Sequence, residues 1–71
     1  MIVYVVNHTK DNETSTTVWN EFSKALRHAT IVCSDAPRNT AKWSDDPHNH
    51  GIIWYNPTPA ETIQILTLKV R

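Results

Sequence analysis

Apolar and polar positions alternate in blocks along the chain, and each block predicts an element. Ile2-Val3-Tyr4-Val5-Val6 is an unbroken β-branched and aromatic run, the pattern of a strand buried on both faces. Residues 7–14 are polar, with Lys10-Asp11-Asn12-Glu13 among them, and read as a solvated loop. Val18, Trp19, Phe22, Ala25, Leu26 and Ala29 then recur at helical spacing, with Asn20, Glu21, Lys24 and Arg27 between them. This predicts an amphipathic helix from about Ser15 to His28, capped by Thr14 or Ser15. Arg27 and His28 then fall in its last turn, where positive charge complements the helix dipole.

Thr30-Ile31-Val32-Cys33-Ser34 reads as a second strand, which makes a right-handed βαβ unit with parallel strands. A long polar segment with two prolines, 35–49, precedes a third strand, Gly51-Ile52-Ile53-Trp54-Tyr55, stopped by Asn56-Pro57. Thr58-Pro59-Ala60-Glu61 carries a capping-box pattern with proline at the first helical position. Ile63, Leu66 and Val70 fall on one helical face with Ala60, so a helix is expected from Pro59 to about Lys69. The alternation Leu66-Thr67-Leu68-Lys69-Val70 supports the alternative, a short helix running into a fourth strand. The expected fold class is α/β: a single domain over 1–71, a βαβ unit plus a third strand and a C-terminal helix (β-α-β-β-α).

Composition narrows the class of function. Seventy-one residues with 39% hydrophobic content and three tryptophans suffice for one small globule near the lower size limit for a single core. Seven basic and seven acidic residues cancel, which disfavours generic DNA or RNA binding and leaves association with a protein partner easy. The one cysteine, Cys33, lies in an apolar run and cannot form an internal disulfide, the usage of a reducing compartment. With no apolar stretch of membrane-spanning length and no basic region leading into an apolar one at the N-terminus, a cytoplasmic protein is expected.

Candidate chemistry concentrates between Trp43 and Tyr55, which hold three of the six aromatic residues, two histidines, two adjacent carboxylates and the only glycine. His48 and His50 lie two apart, so on an extended segment both imidazoles point the same way, and Asp45 or Asp46 could add an oxygen ligand. No second ligand pair at short spacing completes a zinc motif, so metal binding stays the alternative and no cofactor is expected. A second alternative is nucleotide or anion binding, with the hydroxyls of Thr14-Ser15-Thr16-Thr17 at the first helix N-terminus, Asp35 on a ribose hydroxyl and Arg38 on a phosphate. The first loop lacks the glycine such a cradle uses. No catalytic set is expected: Asp45 and Asp46 diverge, and the setting of Cys33 disfavours pairing with His8 or His28 as nucleophile and base.

The aromatics carry the main functional expectation. Trp54 and Tyr55 are strand neighbours and point to opposite faces, so a sheet covered on one side leaves one of them exposed. Trp43 lies in a polar loop, where it either folds back onto the core or serves as an exposed anchor. The expected function is a small non-enzymatic module that binds a protein, as an inhibitor or adaptor of a larger host protein of the kind phages and plasmids carry. The expected contact residues are Arg38, Lys42, Trp43, Asp45, Asp46, His48, His50 and Tyr55, with a homodimer through a sheet edge as a further possibility.

Overall fold

The computed structural model describes residues 1–45, 50–57 and 60–70, without the side chain of Pro57. β1 (Ile2–Lys10) and β2 (Glu13–Trp19) form a hairpin, followed by α1 (Phe22–Val32), a single 3-10 turn at Thr40–Lys42, and β3 (Ser44–Asp45), β4 (Gly51–Pro57) and β5 (Ala60–Lys69). The strands make one antiparallel sheet in the order β2-β1-β5-β4-β3. No parallel pair and no βαβ unit exist among the described residues, so the β-α-β-β-α expectation is corrected to an antiparallel sheet with one helix laid across it.

The first correction lies in the polar stretch after Val6. β1 continues through Asn7-His8-Thr9-Lys10 and reverses at Asp11-Asn12, whose φ values of 54° and 65° are both left-handed. Two such residues between paired Lys10 and Glu13 make the mirror-image tight turn that matches strand twist, and Asp and Asn tolerate it better than other non-glycine residues. The Ser/Thr run that resembled a helix cap is β2, whose threonines suit a pleated surface.

The helix is real but shifted toward the C-terminus. Phe22, Leu26 and the fully buried Ala25 and Ala29 form its sheet-facing stripe, and Thr30-Ile31-Val32, read from sequence as strand, completes its last turns. β-branched residues cost a helix only a few tenths of a kcal/mol each, less than the gain from seating that apolar stripe. Arg27 and His28 therefore lie mid-helix, and Thr30 spends its hydroxyl on the Arg27 carbonyl at 2.9 Å.

β5 is the second large correction, since a ten-residue strand stands where a helix was expected. Glu61, Ile63 and Ile65 are buried under α1 while Thr62, Gln64 and Leu66 face the other way, and this period of two prevails over the capping-box pattern. β5 is the central strand, and burial of Ile63 and Ile65 with Val6 of β1 contributes about 1.5–3 kcal/mol per side chain. Gly51 opens β4 where an added Cβ would stand 2.2 Å from the Ile65 carbonyl oxygen, so the two backbones approach as only glycine allows.

Above this sheet the core holds Val6, Ala25, Ala29, Cys33, Ala36, Trp43, Ile63 and Ile65, with Tyr4 meeting Phe22 edge-on at 5.6 Å. The segment after α1 closes the core edge: Trp43 is 7% exposed and its indole N–H donates to the Pro37 carbonyl at 2.8 Å. No described helix is long and apolar enough to cross a membrane. All of the helical cover sits on one face of the sheet, and among the described residues nothing layers the other face, which is bare to that extent.

Candidate functional site

Three features could carry function: a buried polar cluster, a groove beside the helix, and the bare face of the sheet. The cluster joins β1, β5 and the end of α1. His8 Nε2 lies 2.5 Å from Glu61 Oε2, and the Cys33 thiol donates to Glu61 Oε1 at 3.1 Å. Glu61 is 6% exposed and Cys33 1%, so this carboxylate is an acceptor for two donors in a dry setting. The His8 bond holds its carboxyl below the ordinary range; burial opposes this, and the thiol bond adds to it. Burial pushes the Cys33 thiol up to about 11, and the bond to Glu61 with the nearby carboxylate charge adds to the rise.

This arrangement is chemically quiet. A nucleophilic cysteine needs a depressed thiol and an exposed sulfur, and Cys33 has neither. The carboxylate stands between the thiol and the imidazole, so histidine does not act as base toward sulfur. The cluster instead pins α1 to β1 and β5, with no unsatisfied buried side-chain nitrogen or oxygen among the described residues.

The groove lies along one flank of α1 and holds about 540 Å³, lined by Ser23, Leu26, Arg27, Thr30, Ile31 and Arg38. It pairs an aliphatic floor with two guanidiniums that make no ion pair among the described residues.

The bare face is larger. Strand register places Val18, Val5 and Leu66 side by side across β2, β1 and β5, with Val3 opposite Leu68 in the next row. Val18 is 63% exposed and Leu68 46%, so this end presents a contiguous apolar area to solvent. Gly51 continues the row without a side chain and leaves it flat. The opposite end is polar: Thr16 donates to Asn7 at 2.7 Å and the Thr9 and Thr14 hydroxyls lie 3.0 Å apart. Ile53 and Tyr55 complete the face on β4, Tyr55 57% exposed, while neighbouring Trp54 packs under the helix.

The described residues among those singled out from sequence do not form one patch. Arg38, Lys42, Asp45 and His50 are exposed, Asp46 and His48 lie outside the described residues, and Trp43 is in the core and unavailable as an anchor. Asp45 pairs with Ile52 and so sits on the helix side, whereas Tyr55 pairs with Thr62 on the bare side. The anion site expected at Thr14-Ser15-Thr16-Thr17 is lost because those residues are strand, and Asp35 accepts from the Asn56 amide at 3.0 Å. Among the described residues no group of three metal-ligating side chains is poised to hold an ion.

Sequence reasoning missed Val3, Val5, Val18, Leu66 and Leu68 as a surface. Their signal was the period of two in 62–68 and the pairing of 1–10 with 13–19, visible only once the Asp11-Asn12 turn is recognised. No family model matches the chain, and no curated protein or solved structure matches it either.

Proposed function

We propose that the chain is a non-enzymatic module that binds another protein through the bare face of its sheet, serving as an inhibitor or adaptor of a larger protein. The observation that carries this reading is the apolar end of that face: Val3, Val5, Val18, Leu66 and Leu68 lie together in register with no covering layer among the described residues. Five strands about 4.8 Å apart and up to ten residues long give a face on the order of 500–800 Å². A standard protein interface takes about 800 Å² from each partner. An apolar end beside a hydroxyl and amide end gives this face the mixed apolar and polar composition of such interfaces.

Formal neutrality and the lack of lysine or arginine on β1, β2 and β5 at this face argue for a protein over a nucleic acid. The quiet chemistry of Cys33 and Glu61 favours binding over catalysis. A single buried thiol suits a reducing compartment, and the cytoplasm is the proposed location.

The test is affinity capture with the wild type and two double variants, each checked for folding. Val18→Asp with Leu68→Asp charges the bare face, and Arg27→Glu with Arg38→Glu charges the groove. The proposal expects a stoichiometric protein partner that the first variant loses and the second retains. Loss only in the groove variant would move the interface to α1 and refute the assignment.

A further inference from the structure

The outer edge of β2 has its own geometry. In a two-residue hairpin the flanking pair, Lys10 and Glu13, exchanges both backbone bonds, and the ladder then alternates. The N–H and C=O groups of Glu13, Ser15, Thr17 and Trp19 therefore point at β1, and those of Thr14, Thr16 and Val18 point outward. No backbone bond among the described residues reaches that outer edge.

Natural sheets guard a free edge with proline, an inward-pointing charge, a bulge or a short strand. The opposite side of the sheet carries such a guard: Pro57 of β4 has no N–H to offer, and neighbouring Asn56 is tied to Asp35. β2 has none of these devices. Its seven residues hold no proline, glycine or lysine, and its register with β1 runs from Trp19 to Glu13 without a bulge.

We propose that β2 pairs antiparallel with β2 of a second copy of this chain, about a two-fold axis at Thr16, extending the five-stranded sheet across both copies. The outward-pointing residues match themselves in this register: Thr14 faces the partner's Val18, Thr16 faces the partner's Thr16, and Val18 faces the partner's Thr14. Each of these pairs exchanges two backbone bonds, so the outward groups of Thr14, Thr16 and Val18 on β2 are satisfied. The only charge on β2, Glu13, stands at one end opposite the partner's Trp19, so no like charges meet, and a neutral chain adds no long-range repulsion. Both helices fall on the same side of the joined sheet, and both bare faces stay open on the other. The pairing is independent of what docks on those faces. Because an edge contact is small, the dimer is a reversible one.

Sedimentation equilibrium and amide exchange test this together. The 8.1 kDa chain should approach twice that mass as concentration rises from micromolar to about millimolar. Amide exchange at Thr14, Thr16 and Val18 should slow over the same range, with Ser15 and Thr17 protected throughout. Thr16→Pro removes an outward N–H and the exposed side-chain bond to Asn7 but no backbone bond to β1, and should give a folded monomer. Thr16→Lys sets two ammonium groups against each other at the axis and should do the same, which keeps the test valid if the proline variant unfolds. A wild type that stays monomeric to millimolar concentration overturns the proposal. So does a dimer that survives both substitutions, or one broken only by Val18→Asp with Leu68→Asp.

Discussion

Replacing Glu61 by Gln leaves the shape of the buried cluster almost unchanged and removes half of its acceptor capacity. The carboxylate is bonded to His8 Nε2 at 2.5 Å through one oxygen and accepts from the Cys33 thiol at 3.1 Å through the other. A carboxamide offers one oxygen and turns its NH2 toward the second donor. A hydrogen bond to a charged group contributes about 1.5–3 kcal/mol, and a buried donor left unmatched costs about 1–3 kcal/mol. Glu61→Gln should therefore destabilise the fold by about 2–4 kcal/mol. A domain of this size has about 4–11 kcal/mol in total, so the loss is large, on the order of 10–25 °C in melting temperature.

The sign of the pH dependence follows from the same bonds. Because the folded carboxyl sits below its ordinary value of about 4.3, its stabilising contribution is complete above that value. It is lost as pH falls through the folded pKa. Urea unfolding followed by circular dichroism between pH 2.5 and pH 7 should show a steep acid limb in the wild type and a shallower one in Glu61→Gln. A double-mutant cycle with His8→Gln should give a coupling above about 1 kcal/mol. A Glu61→Gln variant within 0.5 kcal/mol of wild type at pH 7, with an unchanged acid limb, would show that the cluster does not hold the helix to the sheet.

Three further outcomes follow from the same packing. Cys33, buried and pushed up to about 11, should resist a disulfide reagent at pH 8 in the folded protein and react fully in denaturant; rapid labelling of the native state would contradict its burial. Trp43→Ala should cost about 3–5 kcal/mol in chemical denaturation, and Trp43→Phe less, because the smaller change keeps most of the packing while losing the Pro37 bond; a cost under 1 kcal/mol for the alanine would place the indole outside the core. Gly51→Ala should cost about 3 kcal/mol or unpair β4 from β5, seen as lost amide protection at Ile52 and Ile65, because its Cβ would meet the Ile65 carbonyl.

Strand β4 and the first half of β1 were legible in the sequence because a β-branched run bounded by Gly51 and Asn56-Pro57, or starting at the N-terminus, has no good helical reading. The opposite orientation of Trp54 and Tyr55 was legible for the same reason: the period of two is a property of the backbone. The hairpin was not, because Asp11-Asn12 reaches a left-handed turn without glycine, and the alternating polar residues on either side resemble a loop. Missing that turn displaced the helix, since Val18 and Trp19 fit the helical period of Phe22, Ala25 and Leu26 by coincidence of spacing. Ile31 and Val32 carry strand propensity, yet the need to seat Ala25, Ala29 and Cys33 on the sheet outweighs it. The apolar surface was hidden longest. It combines residues from β1, β2 and β5, and no single stretch of sequence contains it.

The central claim is that the bare face of the sheet, and not the helix side, is where a partner binds. The most direct measurement is quantitative capture of the same partner by wild type, by Val18→Asp with Leu68→Asp, and by Arg27→Glu with Arg38→Glu, at matched folding. Charging the apolar face should reduce capture at least a hundredfold, the effect of burying two unpaired carboxylates in an interface, while the groove variant stays within about threefold of wild type. Equal capture by wild type and the face variant would contradict the account.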